Sequence, residues 1–119
     1  MDATVTALPR EVQKRSGERA PFDARKIRSA IERAGAATGE FGADEAALLA
    51  AQVGKVLIHR FHGQAPSIEQ IQDVVEHTLI AANHLQTARA YIAYRDRRAQ
   101  LRADKQTLVD VESSINEYL

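Results

Sequence analysis

Cysteine is absent from this chain of 119 residues. Without thiols there is no disulfide framework, no cysteine nucleophile and no zinc site built on thiolate ligands. No apolar run approaches the roughly 20 residues that a helix needs to cross a bilayer. The N-terminus also lacks the basic start and apolar core of a signal peptide. We therefore expect a cytoplasmic protein with no membrane partner.

An excess of charge of one sign is missing as well. The 16 basic residues are balanced by 16 acidic residues. This balance argues against a nucleic-acid partner, because binding to a phosphate backbone needs a basic face that dominates the surface. The length suits one compact domain, and the hydrophobic content of 45% is typical of a soluble protein.

Motifs for catalysis and for metal binding are also lacking. No serine lies in a Gly-x-Ser-x-Gly setting, and no glycine-rich loop leads into the Lys-Ser/Thr pair of a Walker site. His59 and His62, taken with Glu69 or Asp73, do not match a recognised ligand spacing, so surface or capping roles are favoured for them. We predict neither catalytic residues nor metal ligands.

The first patterned region is a predicted β-hairpin over residues 10–22. Ser16 and Gly17 are a turn signal, because glycine tolerates a positive φ angle. A two-residue loop at these positions would place Lys14 directly opposite Arg19. Like charges in that position destabilise a sheet unless an anion binds between them.

Four helical segments follow the hairpin, and apolar residues recur in each at helical spacing. The predicted landmarks are the N-cap Asp23 and the ending glycines Gly35 and Gly39, a second start near Asp44, a capping box of Ser67 and Gln70, and a fourth helix from about Leu85 to Arg102. Residues 59–66 break the pattern and are a candidate third strand. The expected fold is α+β and mostly α: a four-helix bundle capped by a small sheet of two or three strands that begins with the N-terminal hairpin.

The same patterns divide the chain into three parts. Residues 1–9 carry no strong pattern and are expected to be a flexible lead. Residues 10–103 form the predicted domain. Apolar residues also recur at helical spacing in residues 104–119, but this segment has no place in the four-helix unit. We interpret it as a helical linker or the start of a truncated catalytic domain.

Basic residues cluster near the hairpin and the first helix. Six of them fall within fifteen positions: Lys14, Arg15, Arg19, Arg25, Lys26 and Arg28. Lys26 belongs to the first helical turn, where free N–H groups and the helix dipole favour an anion. The alternative is a solvated basic edge whose charges pair with Glu11, Glu18 or Glu32, and the sequence leaves both interpretations open.

A second basic stretch lies on the fourth helix. It contains Tyr91, Tyr94, Arg95, Arg97 and Arg98. Aromatic and arginine side chains can stack on a nucleobase, and arginine can pair with phosphate. The alternative is that Tyr91 packs in the core while the arginines are solvated.

Several of these segments resemble the ATP-cone family. Residues 12–17 (VQKRSG) and 21–27 (PFDARKI) are similar to its opening signature. Residues 67–76 and 87–95 resemble its third-helix and last-helix segments, and the matches keep the family's order. The resemblance covers roughly residues 10–100.

The resemblance implies a non-catalytic domain that binds ATP or dATP as an allosteric effector, with magnesium as an expected companion of the triphosphate. In ribonucleotide reductases such a domain precedes the catalytic domain and controls overall activity, usually through a change of oligomeric assembly. A homo-oligomer and a catalytic domain are therefore the implied partners. Residues 108–119 are similar to the stretch that enters the catalytic domain of anaerobic, glycyl-radical reductases, which implies a parent enzyme of that type.

The resemblance also assigns a set of nucleotide-binding residues. They are Val12, Lys14, Arg15, Asp23, Lys26, Ile27, Gln72, Tyr94, Arg95 and Arg98. Lys14, Arg15 and Lys26 match positions that face the phosphates. Val12 and Ile27 match apolar positions around the base and sugar.

Three alternatives stay open beside this assignment. The cone of a transcriptional repressor of reductase genes is disfavoured, because that protein carries a cysteine-rich zinc ribbon before its cone. A small helical nucleic-acid-binding module would use the basic residues of segment 14–28. A protein-interaction bundle would bind no ligand. Ala20 departs from family members that place a carboxylate there, so the contacts to adenine are not assigned.

Overall fold

The computed structural model describes residues 7–104 and Tyr118. The elements are β1 (Glu11–Gln13), β2 (Arg19–Pro21), α1 (Ala24–Thr38), α2 (Ala43–Phe61), α3 (Ile68–Ala81) and α4 (Leu85–Asp104). The predicted fold, a mostly α protein with four helices and a small N-terminal hairpin, is confirmed. The predicted lead lies outside the described residues apart from residues 7–9. The predicted tail lies outside them apart from its first residue and Tyr118.

The hairpin turn differs from the predicted one. Gln13 pairs with Arg19, the Lys14 N–H donates to the Glu18 carbonyl at 2.7 Å, and Gly17 has a φ angle of 94°. This is a three-residue loop in which glycine takes the left-handed position of a bulge. The predicted two-residue turn is therefore wrong. Lys14 lies opposite Glu18 and not opposite Arg19, so the hairpin does not contain the predicted repulsion.

The predicted third strand in segment 59–66 is reduced to a single bridge. The Gln13 N–H donates to the Pro66 carbonyl at 2.8 Å, and Gln13 forms an isolated parallel bridge with Ser67. Proline has no N–H to extend such a ladder, and His62 takes a left-handed conformation with a φ angle of 50°. The sheet of the described residues therefore has two strands.

The helix starts follow the predicted signals. The side chain of Asp23 accepts a hydrogen bond from the first turn of α1, and Ser67 and Gln70 form both hydrogen bonds of a capping box on α3. Gly39 ends α1 with a φ angle of 77°. Gly35 was predicted to mark this end as well, but it lies buried inside the helix.

The four helices pack as a closed ring, in which each helix contacts the next one and α4 returns to α1. The core between them is formed by aliphatic side chains and one tyrosine. Its largest fully buried members include Ile27, Ile31, Val53, Leu57, Ile68, Ile71, Val75, Leu79 and Tyr91. Each such side chain contributes about 1.5–3 kcal/mol when it leaves water. Among the described helices, none combines the length and apolarity that a membrane-crossing segment requires.

One end of the bundle is closed by hydrogen bonds between α1, the following loop and α4. The hydroxyl groups of Thr38 and Thr87 lie 2.7 Å apart. Glu40 accepts hydrogen bonds from the Thr87 N–H at 2.8 Å and from the Thr87 hydroxyl at 2.6 Å. The Thr87 hydroxyl, with the N–H groups of α4, holds the pKa of Glu40 below its ordinary value. We call these three residues, together with Phe41 and His84, the capped end.

Candidate functional site

The opposite end of the bundle carries several of the predicted basic site residues. Because Thr38, at the end of α1, touches Thr87, at the start of α4, the first turn of α1 lies where α4 finishes. That turn carries Lys26. We call this end, with its basic residues Lys14, Arg15, Lys26, Arg95, Arg98 and Arg102, the basic end.

The hairpin loop reaches the same end through Arg15. Its Nε lies 2.9 Å from Oε2 of Glu69, which belongs to the first turn of α3. The main-chain bond from Gln13 to Pro66 lies beside this contact and holds the hairpin against the start of α3. The loop therefore brings a cation to the point where α3 begins.

A cavity of about 170 Å³ lies between α3 and α4 at this end. Its polar lining includes Glu69, Gln72, Arg95 and Arg102. Gln72 is 4% exposed, so its amide is held inside the wall. Sites for whole small molecules usually measure about 300–1,000 Å³. In the described arrangement, the cavity therefore has room for part of a nucleotide but not for all of it.

Arg95 is held by two carboxylates of α3. Its Nη1 donates to Asp73 and to Glu76, each at 2.9 Å, and its side chain is 20% exposed. Partial burial disfavours the charged form, but the hydrogen bonds and charges of Asp73 and Glu76 outweigh it and raise the pKa of Arg95. The guanidinium therefore stays protonated, and the carboxylates of Asp73 and Glu76 neutralise its charge.

Tyr94 and Arg98 interact with each other along α4. Arg98 Nη1 donates to the Tyr94 hydroxyl at 3.0 Å, and its guanidinium lies 5.7 Å from the centre of that ring. At about 100° per residue, Tyr91, Tyr94, Arg95, Arg98 and Arg102 occupy roughly a third of the helix circumference. The face that buries Tyr91 in the core thus continues as an aromatic and basic face at the basic end.

Val12 and Ile27, the predicted neighbours of base and sugar, lie in the core and not in an open pocket. Each is 2% exposed, and both belong to the buried cluster that contains Tyr91 and Tyr118. The Tyr91 hydroxyl donates to the Tyr118 carbonyl at 2.6 Å, and the Tyr118 ring lies 6.3 Å from that of Phe22. Burial raises the pKa of Tyr91. Contact between a base and Val12 or Ile27 therefore requires neighbouring side chains to move.

Asp23 caps the N-terminus of α1. Its Oδ1 accepts the Arg25 N–H at 3.0 Å and the Arg25 Nε–H at 3.2 Å. These bonds to Arg25, with the nearby charge of Lys26, lower the pKa of Asp23. The structure thus shows Asp23 as an anionic cap three residues before Lys26.

The acidic residues of α3 were not among the predicted site residues. Glu69, Asp73 and Glu76 repeat at i, i+4 and i+7, which places them on one helix face. This spacing was the signal that could have identified them as partners for basic residues. The sequence suggested Glu69 or Asp73 only as weak metal ligands beside two histidines. In residues 7–104 and Tyr118, no group of three or more potential ligands is placed to hold a metal ion.

Comparison with known proteins gives a consistent result. The sequence profile of the ATP cone domain matches residues 10–100. The chain is similar to a vitamin B12-dependent ribonucleoside-diphosphate reductase of Mycobacterium tuberculosis, with 39% identity over 100 residues that cover 84% of this chain and 14% of the relative. It is also similar to an anaerobic ribonucleoside-triphosphate reductase of Haemophilus influenzae, with 33% identity over 106 residues that cover 83% of this chain and 15% of the relative.

A third similar protein is the alpha subunit of a ribonucleoside-diphosphate reductase of Chlamydia pneumoniae. It is 32% identical over 99 residues, which cover 77% of this chain and 10% of the relative. The chain thus spans between about a tenth and a seventh of the length of these relatives.

Proposed function

This chain belongs to the ATP cone domain family, and from that membership we propose that it binds ATP or dATP as an allosteric effector of a ribonucleotide reductase. The observation that carries the proposal is the meeting of the hairpin loop with α3. Arg15 reaches Glu69 at the rim of a cavity whose wall contains Gln72 and Arg95. A triphosphate bound at this point would contact the hairpin and two helices together.

The phosphates are the part of the ligand that the basic end suits best. We assign the triphosphate to Lys14, Arg15 and Lys26, with Arg95 or Arg98 closing over it. Hydrogen bonds between such cations and phosphate oxygens are shorter and stronger than neutral ones. The positive end of the α1 helix dipole also favours an anion at this position. Magnesium, which usually keeps substrate phosphates among its ligands, would bridge phosphate oxygens.

Regulation requires that ATP and dATP favour different states of the protein. The two nucleotides differ only in the ribose 2′-hydroxyl, and a ligand shifts an equilibrium only by its difference in affinity for the two states. Couplings of this kind are typically about 1–3 kcal/mol. We assign the response to the catalytic domain of a parent reductase in the cytoplasm and to a change in its homo-oligomeric assembly.

The type of parent enzyme rests on the tail. Anaerobic and vitamin B12-dependent relatives are both similar to this chain, so the matched domain does not separate them. The resemblance of residues 108–119 to the entry of an anaerobic catalytic domain favours the anaerobic type. The sequence that follows Leu119 in the gene tests this assignment, because a glycyl-radical enzyme must encode its radical glycine there.

Calorimetric titration with ATP, dATP and GTP tests the binding site. We expect the adenine nucleotides to bind and Lys14→Ala, Arg15→Ala and Lys26→Ala each to weaken binding by about tenfold or more, since a hydrogen bond to a charged group contributes about 1.5–3 kcal/mol. Arg89→Ala is the matched control. It removes an equal charge from an exposed position near the start of α4, at the other end of the bundle.

Two results would contradict these assignments in different ways. If the unmodified chain bound no adenine nucleotide, the sensory function would be wrong. If binding were unaffected by all three substitutions, the function would stand and the location of the phosphates would be wrong.

A further inference from the structure

The ion pair of Arg15 and Glu69 joins two side chains that have room to separate. Arg15 Nε and Glu69 Oε2 lie 2.9 Å apart, while the two side chains are 28% and 49% exposed. Their backbones are held close by the bond from Gln13 to Pro66. The guanidinium can therefore change its partner without unpacking the hairpin from the bundle.

A bound triphosphate would compete with this carboxylate. Partly exposed ion pairs contribute little to stability, because water screens the charges and both side chains lose freedom. A guanidinium binds phosphate oxygens through several charge-assisted hydrogen bonds, which are stronger. Phosphates placed next to Glu69 would also be repelled by its charge. Both effects move Arg15 from Glu69 to the phosphates.

Arg95 offers a contrast within the same cavity. It donates to Asp73 and Glu76 together and is 20% exposed. A ligand that took over this guanidinium would have to replace two carboxylates in a less hydrated place. The exchange is therefore much easier at Arg15.

We propose that Glu69 is an internal competitor of the nucleotide: its carboxylate holds Arg15 when the site is empty and is displaced from it by the triphosphate. This inference rests on the proposed function and adds a residue that lowers the affinity of the site. By keeping Arg15 paired in the empty state, Glu69 makes each binding event break one ion pair. Its role is to position Arg15, and it need not touch the nucleotide.

The test is a double-mutant cycle that measures ATP affinity by calorimetry. Glu69→Gln should bind ATP about two- to five-fold more tightly than the unmodified chain, because the competing ion pair is worth little but is lost completely. The same substitution in an Arg15→Ala background should raise affinity clearly less, because only the repulsion between Glu69 and the phosphates is then relieved. Asp44→Asn is the matched control, since it removes an equal charge from an exposed position in the first turn of α2, at the other end of the bundle, and should change affinity by less than about 1.5-fold.

A second variant separates displacement from charge repulsion. Glu69→Asp keeps the negative charge but withdraws the carboxylate by one methylene group, which weakens its contact with Arg15, so it should also tighten ATP binding, by less than Glu69→Gln. Inorganic tripolyphosphate, used as a probe without base or sugar, should show the same order of affinities. Melting temperatures of all variants would confirm that each one is folded.

The outcomes distinguish the inference from the function on which it rests. Tighter binding by both Glu69 variants, with a clearly smaller gain for Glu69→Gln in the Arg15→Ala background, supports the exchange. An unchanged or weaker affinity of Glu69→Gln overturns it, and so does an equal gain in the Arg15→Ala background, which would reveal only long-range repulsion. If the unmodified chain did not bind ATP at all, the proposed function itself would fail.

Discussion

The two ends of the bundle are held by different kinds of interaction. At the capped end, the fully buried Thr87 supplies both a main-chain and a side-chain hydrogen bond to Glu40. At the basic end, Arg15 and Glu69 form an ion pair that water reaches on both sides. Buried hydrogen bonds are costly to leave unmade, whereas exposed ion pairs are cheap to exchange. The hydrogen bonds at the capped end thus hold the helices together, whereas the charged side chains at the basic end can exchange one partner for another.

This contrast predicts that stability and nucleotide binding respond to different substitutions. Changes at the capped end should lower the free energy of unfolding and leave ATP affinity unchanged. Substitutions of the basic residues should lower ATP affinity and leave the free energy of unfolding unchanged. A variant that lowered both the free energy of unfolding and the ATP affinity would contradict this separation of the two ends.

The largest expected effect is that of Gly35→Ala. An added Cβ would overlap the ring of Phe41, which packs 4.6 Å from the ring of His84 at the capped end. Overpacking of this kind costs about 1–3 kcal/mol, which exceeds the gain of up to about 1 kcal/mol from replacing glycine in a helix. We expect a lower free energy of unfolding by urea denaturation and an unchanged ATP affinity.

Gly54→Ala is the matched control for this variant. Gly54 also lies inside a helix, but an added Cβ would meet only Leu8 Cδ2 at 3.5 Å, an ordinary contact. This substitution should raise the free energy of unfolding by about 0.5–1 kcal/mol. Equal effects of the two variants would show that Phe41 does not pack closely against α1.

An effect of similar size is expected for Thr87→Val. Valine keeps the shape of the side chain but removes the hydroxyl that donates to Glu40 and lies 2.7 Å from that of Thr38. The loss should lower the free energy of unfolding by about 1–2 kcal/mol, because polar partners remain without the bond. Urea denaturation measures the loss, and calorimetry should find ATP binding intact. A weakened ATP affinity would contradict the separation of the two ends.

The smallest effect is expected for Tyr91→Phe, which removes one buried hydrogen bond toward the basic end. The Tyr91 hydroxyl donates to the Tyr118 carbonyl at 2.6 Å, and its loss should cost about 0.5–1.5 kcal/mol at pH 7. Burial raises the pKa of Tyr91 above its ordinary value of 10.0. The folded protein therefore keeps a proton that the unfolded chain releases, and the stability due to this group falls as pH rises above about 10.

The pH dependence provides the measurement. The difference in free energy of unfolding between the unmodified chain and Tyr91→Phe should be constant from pH 7 to 9 and shrink above pH 10, in urea titrations monitored by circular dichroism. A difference that stayed constant to pH 11 would mean that the Tyr91 hydroxyl ionises equally well in the folded state. The burial of this hydroxyl would then be wrong.

Features that depend on a few neighbouring residues were predicted well from the sequence. The cap at Asp23 and the capping box of Ser67 and Gln70 were found because each motif is complete within four residues. The loop of the hairpin was predicted one residue too short. Gly17 suits either loop, and its left-handed conformation in the bulge became visible only with the strand register.

Contacts between distant segments could not be predicted in the same way. Arg15 had Glu11 and Glu18 as neighbours in the sequence, but it pairs with Glu69, 54 residues further along. Which carboxylate it meets depends on how the hairpin lies against α3. Tyr118, which belongs to the segment interpreted from the sequence as a linker or the start of another domain, is 3% exposed and belongs to the core cluster. The nucleotide contacts assigned to the predicted site residues stay predictions.

The end of α4 gives the arrangement a further consequence. Arg102 lines the cavity and belongs to the last described turn of α4. The last described turn of α4 therefore borders the cavity that we propose for part of the nucleotide. A bound nucleotide would thus act directly on this turn of α4, without a rearrangement of the packed interior.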